Sequence, residues 1–253
     1  MKNMRIPRFP DFKTAILSFV LLLGGLSLSA QDSIPVPDPM DDGRPKRVSG
    51  GMGYGQVGLG IKDLSGLDAV IGNGVNFNDK SLTVGGGGFL MIRSIMLGGE
   101  GMSYWNQAAS FGNQEVKYES GFGQFFTGYV VYGRKGLLVY PKVGIGGYKE
   151  SLTFVNKDAV TNMDTILTGA YTSTTLTHKG TMMSFGAGLE WMLGFDESSG
   201  SGITLGFDMG YRLGVGSKGW ESATQAITGN TPKLSPTGMY ANFHIGFSGW
   251  NRQ

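Results

Sequence analysis

The sequence predicts an all-β chain, an eight-stranded antiparallel up-and-down transmembrane β-barrel, and three observations carry that expectation. Apolar stretches of 11 residues or more recur from Gly50 onward. Soluble strands average about 5 or 6 residues, whereas tilted membrane strands need about 9 to 11. The connections between the stretches alternate short and long, with an even strand count that puts both chain ends on the short side, the plan of membrane barrels. In the best-patterned strands the apolar residues share one face at a period of two.

The N-terminus sets the compartment. Lys2, Arg5, Arg8 and Lys13 precede an apolar run from Ala15 to Leu28 and small residues ending at Ala30, the layout of a secretory signal peptide. The competing reading is an uncleaved anchor, but the run is shorter than the 18 or so apolar residues a spanning helix requires. Residues 1–30 are therefore expected to be a cleaved signal peptide. Residues 31–49, with Pro35, Pro37, Pro39 and Pro45 among Asp32, Asp38, Asp41 and Asp42, read as a Pro-rich periplasmic linker, and residues 50–253 as the barrel. The chain has no cysteine, so neither a disulfide framework nor a lipoprotein-type cysteine is expected. A net charge of +2 with no dense basic stripe past the N-terminus argues against a nucleic-acid partner.

The strands expected in order are Gly50 to Ile61, Leu82 to Ile92, Ile95 to Trp105, Tyr118 to Tyr132, Leu137 to Tyr148, Thr181 to Phe195, Ile203 to Val215, and Gly238 to Gly249. The tight turns are Arg93–Ser94, Gly133 to Gly136, and Asp196 to Gly202. The long connections are Lys62 to Ser81, Asn106 to Lys117, Lys149 to Gly180, and Gly216 to Thr237.

In the seventh strand Ile203, Leu205, Phe207, Met209, Tyr211, Leu213 and Val215 oppose Thr204, Gly206, Asp208, Gly210, Arg212 and Gly214. The sixth and eighth strands repeat this pattern. A soluble lipocalin-like barrel would turn the apolar face inward, but glycines and isolated charges are a poor coat for water, so the apolar face is placed toward lipid. Met209→Arg is accordingly expected to impair assembly and Gly206→Ser to be milder. The fourth strand is ambiguous, because Phe122, Phe125, Phe126 and Tyr129 occupy both faces. Trp105, Trp191, Phe195 and Trp250 fall near strand ends and form a candidate aromatic girdle; scattered core aromatics are the alternative.

On alternation, turn and loop lengths, and the aromatic-rich terminal strand Tyr240 to Trp250, the chain resembles the small eight-stranded outer-membrane barrels of the OmpA and OmpX type, over Gly50 to Trp250. It departs from many of them at Asn251, Arg252 and Gln253, which follow the last aromatic. No OmpA-like periplasmic domain is expected after the last strand. The resemblance implies the outer membrane as the location and outer-membrane lipid as a partner.

Glu100, Lys142, Glu190, Asp208, Arg212 and His244 fall on expected lumen faces. They read as a proton path, a narrow pore or a catalytic set, or as a plug of compensating charges, and the plug is favoured because an eight-stranded interior is just wide enough for side chains to fill. Lumen glycines, Gly206 among them, either accommodate inward residues such as Tyr104, Tyr148 and Tyr240 or leave a ligand cavity. Some barrels of this size are lipid A deacylases, whose histidine is paired with a serine two residues on. Here His178 precedes Lys179 and Gly180, and His244 precedes Ile245 and Gly246, while Ser248 lies about 13 Å along the strand from His244. Two histidines on separate segments make no metal-ligand spacing, and no cofactor is expected. The sequence thus favours a noncatalytic outer-membrane barrel whose long loops bind an extracellular ligand or a neighbouring membrane protein. A lumen that binds or passes a small or lipidic molecule comes second, a lipid-modifying enzyme third. The Lys149 to Gly180 connection is the expected binding element, and exchanging Glu150 to His178 for a short hairpin is expected to leave the barrel folded.

Overall fold

The computed structural model describes residues 48–64, 66–67, 77–134, 136–157, 173–193, 201–222, 227, 231–232 and 234–252. The expected signal peptide and most of the linker lie outside them. Ten strand segments follow in order: β1 (Val48–Ile61), β2 (Lys80–Ile92), β3 (Ile95–Tyr104), β4 (Gln107–Phe111), β5 (Gln114–Tyr129), β6 (Tyr132–Arg134), β7 (Leu137–Asn156), β8 (Ser173–Leu193), β9 (Ser201–Ser222) and β10 (Gly238–Arg252). β1 begins at Val48, two residues inside the expected linker.

Two of these segments continue their predecessors. β3 opposes β5 as far as Ser103 against Gly121, and β4 resumes with Gln107 against Tyr118, a one-residue displacement around Trp105 and Asn106. β5 opposes β7 as far as Gly128 against Lys142, and β6 resumes with Tyr132 against Val139. Each displacement is the signature of a bulge, which bends a strand without ending it. Every described pairing is antiparallel, β5 pairs β7, and β1 pairs both β2 and β10. The sheet therefore closes into the eight-stranded up-and-down ring expected from the sequence, with no free edge.

The alternating faces follow from the pleat. Val57, Leu59, Leu90, Ile92, Leu97, Ile145, Phe185, Phe207, Met209, Phe243 and Phe247 stand exposed on the outside, while Gln56, Glu100, Lys142, Glu190, Asp208, Arg212, Asn242 and His244 are buried inside. The fourth wall resolves cleanly: Phe122 and Phe126 point into the lumen and Phe125, 79% exposed, points out. Part of the outer wall is bare backbone, where Gly53 opposes Gly88, Gly55 opposes Gly86, and Gly101 opposes both Gly86 and Gly123.

Inward glycines have a different task. A Cβ on Gly60 would meet the Tyr104 ring at 2.5 Å, and one on Gly87 would meet the Tyr54 hydroxyl at 2.7 Å. Gly188 sits likewise under Tyr140, Gly180 under Tyr148, and Gly186 and Gly210 under Tyr240. Glycine contributes no side-chain volume, so each tyrosine lies across a neighbouring strand and fills the lumen in its place. That settles which role these glycines have.

The long connections are the main correction. β7 and β8 stay in one unbroken register from Leu137 against Trp191 to Val155 against Ser173. Half of the expected Lys149 to Gly180 loop is thus strand, and residues 158–172 lie outside the described residues. Asn106 to Lys117 is a hairpin turning at Gly112, whose φ is 52°, and Asn113, and β9 runs seven residues past Val215, to Ser222.

The physical reason is a change of the exterior. In the lower barrel the outside is apolar, and the inside holds paired charges among buried apolar side chains such as Met52, Phe89, Met91, Met96 and Phe126. Beyond Lys149 and Lys179 the outer-face positions become polar, with Thr175 exposed, Thr153 and Thr177 half-buried and Ser151 buried, while Leu64, Leu67, Phe77, Val116, Tyr118, Leu152, Trp220 and Leu234 pack inside as an apolar core. The period of two persists while the face that must avoid water changes. Read as hydropathy alone, this resembles the end of a strand.

Candidate functional site

Two polar clusters occupy the barrel interior. The lower is built on strand rungs: Glu190 opposes Gly206, which opposes His244, which opposes Gln56. A Cβ on Gly206 would fall on His244 Nε2 and Glu190 Oε2. Its absence lets those side chains meet across the intervening strand, with His244 Nε2 2.7 Å from Glu190 Oε1. A serine side chain at Gly206 would therefore have to displace His244 or Glu190.

Lys142 anchors the rest. Its Nζ lies 2.8 Å from Asp208 Oδ2 and 3.2 Å from Glu100 Oε2. Glu100 also accepts from Gln124 Nε2 at 2.5 Å and from the Tyr54 hydroxyl at 3.2 Å. Tyr140 donates to Glu190 at 2.7 Å, and Asn242 Nδ2 reaches Asp208 at 3.3 Å. Arg212 sits between two rings, its Cζ 4.1 Å from the Phe122 centroid and 4.0 Å from that of Tyr240, and donates to the Tyr104 hydroxyl at 3.2 Å. The structure brings Glu100, Lys142, Glu190, Asp208 and His244 into one network and places Arg212 above it. Burial of charge is tolerated only when the charges are paired in this way.

The upper cluster escaped the sequence reading. Ser120, Glu150, His178 and Trp220 are cross-strand neighbours on a single rung running from β5 through β7 and β8 to β9. Lys62, just past the end of β1, reaches in from the opposite wall. Its Nζ donates to Ser120 Oγ at 2.6 Å, pairs with Glu150 Oε1 at 3.2 Å, and stands 3.9 Å above the Tyr104 ring. Tyr118 donates to Glu150 Oε1 at 3.0 Å, and His178 Nδ1 lies 3.4 Å from Glu150 Oε2 while its ring stacks on Trp220 at 5.2 Å. Burial pushes the Glu150 carboxyl up, but the His178 hydrogen bond and the Lys62 charge outweigh it and hold the group below its ordinary value. Burial, reinforced by the Glu150 charge, drives the Tyr118 phenol well above its own.

These residues were hidden because the sequence assigned Lys62, Glu150 and His178 to connections. One signal could have exposed them: alternation continues through Glu150, Leu152 and Phe154 and through Thr174, Leu176 and His178.

His178 and His244 each face a glutamate, and Ser248 is hydrogen-bonded to Thr204, so no hydrogen bond between a serine and a histidine side chain is found among the described residues. Among the described residues no group of three His, Cys, Asp or Glu side chains is placed to hold a metal ion. Of the four aromatics expected at strand ends, Trp105 and Trp191 project outward at opposite ends of the barrel. Trp250 lies in β10 opposite Gly50, with its side chain outside the described residues, and Phe195 lies outside them altogether.

No protein-family model matches the chain, and no curated protein matches it. Solved structures similar to it include Ail, the attachment invasion locus protein of Yersinia pestis, in complex with the heparin analogue sucrose octasulfate, at 9% identity and a TM-score of 0.40 over 82% of this chain and 100% of that one. Neisserial surface protein A is similar at 7% identity and a TM-score of 0.34, over 80% of this chain and 96% of that one. The outer membrane protease OmpT of Escherichia coli is similar at 8% identity and a TM-score of 0.32, over 82% and 96%. The barrel itself rests on the strand pairing of this chain.

Proposed function

We propose that this protein is a noncatalytic outer-membrane barrel that holds a rigid binding platform above the bilayer. The observation that carries this reading is the change of exterior: the same strands pass from an outer face lined by apolar side chains to one lined by serine, threonine and lysine, around an interior that stays packed. Lipid suits the first exterior and water the second. Trp105 and Trp191 then sit at the two rims of the lipid-facing band, where indoles partition. The signal-like N-terminus supports export.

A noncatalytic role is supported by the burial of Ser120, His178, His244 and Glu190, none more than 7% exposed. Lys62 donates to Ser120 as the ammonium of an ion pair with Glu150, and so has no lone pair with which to activate that hydroxyl. The extended walls of β4, β5, β7, β8 and β9 instead present an ordered, water-facing surface, a suitable base for recognition.

The test is crosslinking in intact cells with residues 158–172 replaced by a short Gly–Ser linker, which spares both polar clusters. Loop closure depends weakly on length, so the barrel stays folded and loses extracellular or membrane neighbours. A folded variant that keeps every neighbour would remove the platform reading.

A further inference from the structure

The outer face of β7, β8 and β9 carries a basic row at the level where the exterior changes from apolar to polar. Lys149 on β7 lies directly opposite Lys179 on β8. Across the next strand, β8 and β9 change register between His178 and Gly180 and again between Thr181 and Met182. At the first displacement Gly219 has a φ of 80°, and Lys218 lines the same cleft as Lys179. All three lysines are exposed.

Like charges directly opposite on a sheet repel, and no carboxylate among the described residues forms an ion pair with any of the three. Glu221 and Glu119 lie farther from the apolar band, opposite Thr177 and Ser151. The register change also opens a cleft of about 400 Å³ lined by Lys179, Gly180, Thr181, Gly216, Ser217 and Lys218. Gly216 leaves it open, since a Cβ there would meet nothing within 4 Å. Immediately below stand the apolar side chains of Ile145, Met183, Leu213 and Val215.

We propose that this cleft binds the phosphate group of an anionic lipid headgroup, with Lys179 and Lys218 contacting the phosphate, Lys149 adding charge, and the acyl chains lying down the apolar wall. The proposal rests on the reading of the chain as an outer-membrane barrel whose chain ends face the periplasm. Three observations converge on it: a concave site, uncompensated positive charge, and a position one rung above the apolar band, where a phosphate on a bilayer lipid lies. Ammonium groups close to a membrane surface each add to the attraction for anionic lipid. An anion between Lys149, Lys179 and Lys218 relieves the repulsion that the fold otherwise bears.

The experiment uses the full mature barrel folded into phosphatidylcholine vesicles containing a small fraction of diphosphorylated lipid A or its dephosphorylated form. Lipid capture is read by fluorescence transfer from labelled lipid. The parent protein enriches the phosphorylated lipid around itself, and the triple variant Lys149→Gln, Lys179→Gln, Lys218→Gln lowers its apparent affinity by about tenfold or more. Lys80→Gln with Lys117→Gln, which removes exposed charge elsewhere, leaves the affinity unchanged. Equal enrichment by parent and triple variant, or equal enrichment of both lipid forms, would overturn the proposal. Competition by inorganic phosphate at the lipid's own concentration would overturn the lipid assignment in favour of a soluble anion. Failure of the barrel reading looks different: the parent would not insert into phosphatidylcholine at all, and the proposal would fall with it.

Discussion

At the residue scale the interior is a matter of who yields volume to whom. Gly206 is the clearest case, because His244 and Glu190 meet in the space its side chain would fill. Gly206→Ala is expected to destabilise the barrel by about 1–3 kcal/mol through overpacking, whereas Gly216→Ala, which meets open space, changes stability by well under 1 kcal/mol. Urea unfolding in detergent or bilayers measures both. Lys142 bears the electrostatic counterpart, since it faces Glu100 and Asp208 together. Lys142→Met leaves two buried carboxylates without their cation and is expected to cost about 3–5 kcal/mol, most of it recovered when Glu100→Gln and Asp208→Asn are added. An additive triple variant would show that the three do not act as a unit.

The upper cluster adds a pH dependence. Glu150 is held below its ordinary value of 4.5 in the folded protein. Its contribution to stability is therefore fully present above the unfolded value and is lost as pH falls through the lower, folded value. Emission of Trp220, which stacks on His178, should follow that loss below about pH 4.5, and Glu150→Gln should flatten this acid limb.

At the scale of the strand, the period of two was legible throughout, but its meaning depended on the medium outside. Between Ile203 and Val215 the alternation gave both the strand and the orientation of Asp208 and Arg212, because glycine and charge on one face leave lipid as the only suitable neighbour of the other. Past Lys149 the same alternation reads as loop, since Ser151, Thr153, Thr175 and Thr177 are polar where a lipid-facing wall calls for apolar residues. Glu150 and His178 were missed for that reason alone. Partner choice was never legible: that Lys142 meets Asp208 and that Glu190 reaches His244 over Gly206 depends on inter-strand register, which no single strand's pattern contains. The two exteriors should respond oppositely to charge. Met209→Arg, on the lipid-facing band, is expected to cost about 2–4 kcal/mol near the midplane, while Thr175→Arg, exposed on the extension, changes stability by less than about 0.5 kcal/mol. Heat-modifiable gel mobility of unheated samples reports both, and an equal response would place the two positions in the same medium.

At the scale of the whole molecule, an eight-stranded ring with tyrosines laid over glycines and charges paired across its axis leaves no porin-like passage. In planar bilayers the protein is expected to show no sustained large conductance, and steady currents of porin size would contradict the plugged lumen. One continuous barrel passes from lipid into water at the level of Lys149 and Lys179. The absence of native cysteine permits a direct measurement: spin labels placed singly at Val143, Ile145, Thr153, Thr175, Phe185, Met209 and Phe243 in bilayers, with collision rates to oxygen and to a polar nickel complex. Labels at Val143, Ile145, Phe185, Met209 and Phe243 should favour oxygen, the lipid-soluble quencher, and labels at Thr153 and Thr175 the nickel complex, with ordered strand-like mobility on both sides of the boundary. Nickel accessibility at Met209 and Phe243 equal to that at Thr153 would contradict the account.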